Sequence, residues 1–209
     1  MTRALFIDRD GTLVEPRHYP SRPVDLVLYP GISPSLRRLR AAGFKLVVIT
    51  NQSGLARGLF TADDLDRMHD HLRAELARDG VEIDAIYFCP HHVEGVVPAL
   101  TMACACRKPE PGMLHQAAAD LGLDLAASWF LGDILDDVEA GNRAGCRTIL
   151  VDIGTEEAPA EPSRQPTAVA RDTVEALAIV AGAAGLEPAP VAYVPDRWLV
   201  AAERGSRGR

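Results

Sequence analysis

The chain has 209 residues, 47% hydrophobic and 24% charged, with a formal net charge of -7. That is the composition of an ordinary globular protein with one substantial core. No apolar run approaches the roughly 18 residues that cross a bilayer, and the acidic balance excludes the broad basic face that nucleic-acid binding needs. Residues 1–5 run directly toward a strand without a signal-peptide pattern, so the expectation is a cytoplasmic protein with no membrane or nucleic-acid partner.

Short apolar runs at residues 4–7, 44–49, 85–88, 129–131 and 148–151 read as buried strands. Helical patterns lie between them: 34–42 behind a Ser33 cap, 62–78 behind a Thr61 cap, 112–121 and 136–144. Stops at Gly43, Gly80, Gly122 and Gly145 suit the left-handed residue that closes a helix. Alternation at this spacing predicts an α/β fold, a doubly wound parallel sheet with helices on both faces. Residues 155–166 read as a mobile loop and 172–183 as a last helix. The catalytic domain is expected over 1–183, followed by a tail at 184–209 in which Trp198 anchors to the domain surface. The chain is expected to be a monomer.

In such sheets ligands bind beyond the carboxyl ends of the strands. The first strand leads into Asp8-Arg9-Asp10-Gly11-Thr12, two acids spaced so that extended chain puts both on one side. One carboxylate can help hold Mg²⁺ and attack phosphorus while the other protonates the leaving oxygen and later activates water. The second strand leads into Thr50-Asn51-Gln52-Ser53-Gly54, a hydroxyl and amides suited to a phosphoryl oxygen. Arg107-Lys108-Pro109 holds two cations at a helix start, where Lys108 can counter the charge of a phosphorane and Arg107 a more distant polar group. After the fourth strand comes Gly132-Asp133, with Asp133 placed as a metal ligand beside Asp8 and a main-chain carbonyl near Asp10. Asp136 and Asp137 open the next helix, where capping is as good an account of Asp137 as chemistry.

Together FIDRDGTL, VVITNQSG, RKPEPGM and FLGDILDD, in that order over residues 6–137, resemble the four motifs of the haloacid dehalogenase superfamily of phosphatases. The resemblance implies a Rossmann-like fold in which Asp8 is the nucleophile, Asp10 the general acid and base, Thr50 and Lys108 stabilisers of the phosphoryl group, and Asp8, Asp10 and Asp133 the Mg²⁺ site.

Cys89-Pro90-His91-His92 and Cys104-Ala105-Cys106 add a second metal signal. Three thiolates and one imidazole complete a tetrahedral, structural zinc site in a loop, 89–106, that lacks its own secondary-structure pattern. His92 is an alternative ligand to His91; family resemblance favours His91. Cys146 reads as a small buried residue. The insertion resembles the capless, zinc-containing branch that holds heptose bisphosphate phosphatases and histidinol-phosphatases. The twelve residues from His92 to Ala103 match the longer loop of the heptose enzymes. That resemblance implies a phosphorylated sugar substrate, with Pro16, Arg17, His18, Tyr19, Thr50, Asn51, Gln52, Ser53, Arg107 and Lys108 lining its site. Val14-Glu15-Pro16 and Ile134 depart from the pattern, the latter standing where a cation is usual.

Overall fold

The computed structural model describes residues 2–187 and 193–198. Six parallel strands, β1 (Ala4–Ile7), β2 (Lys45–Asn51), β3 (Ala85–Cys89), β4 (Trp129–Gly132), β5 (Arg147–Val151) and β6 (Ala168–Ala170), form one sheet in the order β3-β2-β1-β4-β5-β6. Successive residues of β1 point to opposite faces: Leu5 and Ile7 join one core layer, Ala4 and Phe6 the other. Both faces are covered, which is why the strands read as unbroken apolar runs rather than as alternation.

Helices α1 (Ile32–Ala41), α2 (Ala62–Arg78) and α5 (Thr173–Ala183) cover the first face, through residues such as Leu36, Leu65, Leu72 and Leu177. The second face carries α3 (Gly112–Leu121) and α4 (Leu135–Ala144), with Met113, Leu114, Ala140 and the buried Cys146. Among the described residues no second domain interrupts the sheet. The 22 or so residues between β3 and α3 form the Cys/His loop instead.

The structure corrects several local expectations. Helix α1 starts at Ile32 behind Gly31 (φ 80°), not behind Ser33. Ser33 lies within the first turn, where its hydroxyl donates to Asp79 Oδ2 at 2.6 Å, and Pro34 is tolerated there because first-turn amides have no helical partner. Thr61 does cap α2: it accepts from the Asp64 amide at 3.2 Å, and Asp64 Oδ2 accepts from the Thr61 amide at 2.8 Å. Strand β6, three residues behind a proline-rich segment, gave no sequence signal. The 155–166 segment, expected to be mobile, is pinned to α4: Arg164 pairs with Glu139 and Asp136, and Asn142 donates to the carbonyls of Ser163 and Gln165. Trp198 packs with Tyr193 against Leu135, Val138, Leu150 and Val169, and its indole donates to the Glu156 carbonyl at 3.1 Å. The remainder of the expected tail lies outside the described residues.

Candidate active site

The order of strands places a topological switch between β1 and β4, where neighbouring connections leave in opposite directions and open a crevice at the carboxyl edge. Asp8 follows β1 there, its amide bonded to the Leu131 carbonyl of β4 at 2.9 Å. Thr50 and Asn51 end β2, and Asp133 follows β4. Lys108 comes from the turn before α3. Asn51 holds that turn with both ends of its amide: it donates to the Lys108 carbonyl at 3.2 Å and accepts from the Lys108 amide at 3.1 Å.

The Lys108 ammonium is 2% exposed and sits among acids: 2.6 Å from Asp8 Oδ1 and 2.5 Å from Asp137 Oδ1, with the Ile49 carbonyl at 3.2 Å. Asp8, Asp133 and Asp137 are buried and can bring one oxygen each within 4.8 Å of one another. Two glycines make room for them. A Cβ on Gly11 (φ 91°) would stand 2.2 Å from Asp133 Oδ2, and one on Gly132 would stand 2.3 Å from Asp137 Oδ2. The sharp turn after Asp8 and the end of β4 are therefore built around these carboxylates.

Their electrostatics follow from three acids sharing one lysine. Burial pushes Asp8 up to about 7; Asp137 and Asp10 push the same way while Lys108 opposes. Burial likewise lifts Asp133 to about 8, with the Asp8 and Asp137 charges adding to it. Asp137 is raised by burial against the pull of Lys108. Burial by itself would lower Lys108, but Asp137 and Asp8 outweigh it and hold the ammonium above the ordinary lysine range. Three carboxylates against one ammonium leave the cluster two positive charges short, and its donors are hard oxygens, the set that suits Mg²⁺.

Asp10 stands apart from this trio. Both its oxygens accept from the Arg9 guanidinium, at 2.8 to 3.1 Å, and Gln52 donates to Oδ2 at 3.0 Å while also reaching Thr50 Oγ1 at 2.8 Å. The side-chain carboxylates gathered here are Asp8, Asp133 and Asp137, while the Asp10 carboxylate turns to Arg9 and Gln52; the sequence reading offers the main chain near Asp10 to the metal and weighs Asp137 evenly between cap and chemistry. Asp137 does both jobs: its Oδ2 also receives the Ile134 amide at 3.4 Å.

Two clefts meet at Asp10 and Asn51. One of about 160 Å³ is lined by Asp8, Asp10, Thr50, Asn51, Lys108, Asp133 and Ile134. The other, about 240 Å³, is lined by Asp10, Arg17, His18, Tyr19, Pro20, Asn51, Gln52, Ser53 and Gly54. The predicted substrate residues come together there, except that Pro16 and Arg107 stand outside both linings. Arg107 donates to the His91 carbonyl at 3.5 Å. Tyr19 has φ 49°, a left-handed conformation unusual for a non-glycine residue, at the mouth of the second cleft.

The Cys/His loop closes behind this site. The Sγ atoms of Cys89, Cys104 and Cys106 lie 3.3 to 3.5 Å apart, with His91 Nδ1 3.4 Å from Cys106 and 3.7 Å from Cys89. Tetrahedral zinc with about 2.3 Å bonds to sulfur needs edges of about 3.7 Å, so the donor set fits the ion. His92 turns away to Arg57 and the Glu94 amide. Cys89 ends β3 in register with Asn51, its carbonyl receiving the Gln52 amide at 2.8 Å, and Val96 and Val97 both donate to the Ala56 carbonyl. The loop is therefore bonded to the segment that lines the cleft.

Sequence reasoning missed Arg9 and His69. Arg9 lies between two acids that drew the whole reading of their segment, and His69 sits on the apolar stripe of α2 with Leu65, Met68 and Leu72, where a histidine carries no signal of its own.

A parallel sheet in this order, an aspartate at the end of β1, and a lysine and second aspartate converging on it define a phosphoryl-transfer site. Residues 105–176 match the family described as HAD-hyrolase-like. The chain belongs to the haloacid dehalogenase-like phosphatases, hydrolases of phosphate monoesters. Within that class it is 44% identical over 142 residues, 68% of this chain and 79% of the relative, to the D-glycero-beta-D-manno-heptose-1,7-bisphosphate 7-phosphatase of Rhodopseudomonas palustris. It is 41% identical to the protein of that name from Escherichia coli K12, over 72% of this chain and 80% of that one. The D,D-heptose 1.7-bisphosphate phosphatase from B. bronchiseptica, complexed with magnesium and phosphate, superposes with a TM-score of 0.71 at 32% identity, covering 84% of this chain and 96% of that chain.

Proposed function

We propose that this enzyme removes the 7-phosphate of D-glycero-β-D-manno-heptose 1,7-bisphosphate through an aspartyl-phosphate intermediate. The observation that carries the reading is the meeting of the two clefts at Asp10: a charged pocket sized for a phosphoryl group opens directly onto a polar cleft sized for a sugar. The names of the relatives above supply the particular sugar and its anomer.

Asp8 attacks phosphorus, the bond from phosphorus to the sugar oxygen breaks, and that oxygen takes its proton from Asp10. Asp10 then takes a proton from water, which attacks the phosphoaspartate and frees Asp8 and inorganic phosphate. Lys108 and the Thr50 hydroxyl face the equatorial oxygens, whose negative charge grows in the transition state. Asp8, Asp133 and the main chain at Asp10 would hold Mg²⁺, while Asp137 keeps Lys108 in place. Bound Mg²⁺ supplies the positive charge that lets an anionic nucleophile meet an anionic phosphate. Arg17, His18, Tyr19 and residues 51–53 bind the sugar. Arg107 and Pro16, outside the cleft linings, are second-rank candidates for its distal end.

Cys89, His91, Cys104 and Cys106 would hold zinc in a structural role. Among the described residues no helix is long and apolar enough to cross a membrane.

The test is parallel turnover of the heptose bisphosphate and histidinol phosphate with Mg²⁺, following the product by ³¹P NMR. Loss of the 7-phosphate with retention of the 1-phosphate is expected, and Asp8→Asn abolishes it. Turnover of histidinol phosphate alone would overturn the substrate.

A further inference from the structure

Arg9 is the largest of the fully buried side chains, at 0% exposure. A guanidinium in a core requires partners for its charge and its donors. One face of the fork is used entirely on Asp10, with Nε and Nη2 gripping both carboxylate oxygens. Behind it, Nη1 lies 3.4 Å from Nε2 of His69. Arginine only donates, so His69 Nε2 accepts and the ring proton sits on Nδ1. His69 is suited to that part: burial first, then Arg9 and Arg73, push it down to about 3, leaving the ring neutral. Leu65, Met68 and Leu72, its buried neighbours on α2, belong to the core, and the Phe88 ring centroid lies 5.8 Å from that of His69. Gln52 grips Asp10 Oδ2 from the opposite side.

A bidentate fork fixes a carboxylate's plane as well as its position, which one hydrogen bond cannot do. We propose that Arg9, seated on His69, is a positioning residue that holds the Asp10 carboxylate at the junction of the phosphoryl pocket and the sugar cleft, where the bridging oxygen must lie. The assignment rests on Asp10 as the acid and base of the reaction. Proton transfer from a positioned group contributes about 10²- to 10⁴-fold, and a displacement of about 1 Å forfeits about 10²-fold.

The experiment compares Arg9→Lys, His69→Phe and His69→Gln on the heptose bisphosphate and on p-nitrophenyl phosphate, whose phenolate departs without a proton. Arg9→Lys keeps the charge but loses the fork, and kcat on the sugar phosphate should fall about 10- to 100-fold with KM little changed. On p-nitrophenyl phosphate the first nitrophenolate should appear at the wild-type rate. Slow steady turnover then follows with phosphoenzyme accumulating, because Asp10 must still deprotonate water. His69→Phe should do the same more weakly, and His69→Gln, which restores an acceptor, should recover activity.

Equal slowing of the first turnover on both substrates, or full activity in Arg9→Lys and His69→Phe, overturns the assignment. If Arg9→Lys fails to fold by circular dichroism, the two His69 variants decide it. If the wild type spares the heptose bisphosphate, only the substrate fails, and the comparison runs on an alkyl phosphate that it does hydrolyse.

Discussion

Replacing Gly11 with alanine separates backbone strain from disturbance of the metal site. Gly11 has φ 91°, and so does Gly43, but a Cβ at Gly43 meets nothing within 4 Å whereas at Gly11 it stands 2.2 Å from Asp133 Oδ2 and 2.4 Å from its Cγ. A left-handed conformation costs an alanine about 1 to 2 kcal/mol. In a chain of this size each kcal/mol lowers Tm by about 2 to 4 °C, so Gly43→Ala should melt about 2 to 8 °C early with unchanged kinetics. Gly11→Ala adds a clash that the Asp133 carboxylate relieves only by retreating about 1 Å, and misorienting a metal ligand weakens binding about 10- to 100-fold. The Mg²⁺ concentration for half-maximal phosphate release should rise by that factor in Gly11→Ala alone. Identical Mg²⁺ curves for the two variants would refute the placement of Asp133 at the metal.

The acidic trio also makes stability depend on pH in a definite direction. An unfolded chain sheds these protons near 3.8, while the folded one keeps them on Asp8 to about 7 and on Asp133 to about 8. The metal-free fold therefore loses stability as pH rises through that window. With zinc retained, the gain in Tm on adding Mg²⁺ should grow from pH 6 to pH 8, and a shrinking gain contradicts it. Lys108→Met strands Asp8 and Asp137 without their cation. Breaking a buried pair costs about 3 to 5 kcal/mol, so urea unfolding in Mg²⁺-free buffer should show a loss of that order, partly restored by Mg²⁺; a loss below about 1 kcal/mol would show the pair to be dispensable. Cys104→Ser should abolish zinc binding by metal analysis, lower Tm and raise KM through the Ala56 contacts, leaving kcat less affected. Normal melting and KM in the zinc-free protein would remove the loop's structural role.

Which residues gather at the cleft was legible in the sequence because each sits immediately after a strand or before a helix, and a parallel sheet sends those positions to one edge whatever the details of packing. Order and spacing placed Asp8, Thr50, Lys108 and Asp133 at that edge, where they line one cleft, and the family resemblance supplied the roles expected of them. The thiol pairs were legible for a similar reason, since a Cys-x-His and a Cys-x-Cys pair hold two ligands each within local reach. Boundaries fared less well at α1, where Gly31 rather than Ser33 begins the helix, and β6 was invisible because three residues carry no period.

Only the tertiary structure decided the partnerships. Asp137 reads equally as a cap or as part of the site until Lys108, 29 positions earlier, is seen 2.5 Å away. Arg9 drew no reading of its own in the motif, and only the packing of α2 brings His69 within 3.4 Å of its guanidinium. A local pattern fixes which face of an element a residue occupies. What lies across that face depends on chain segments that meet only when the layers close, and the partners of Asp137, Arg9 and His69 are found there.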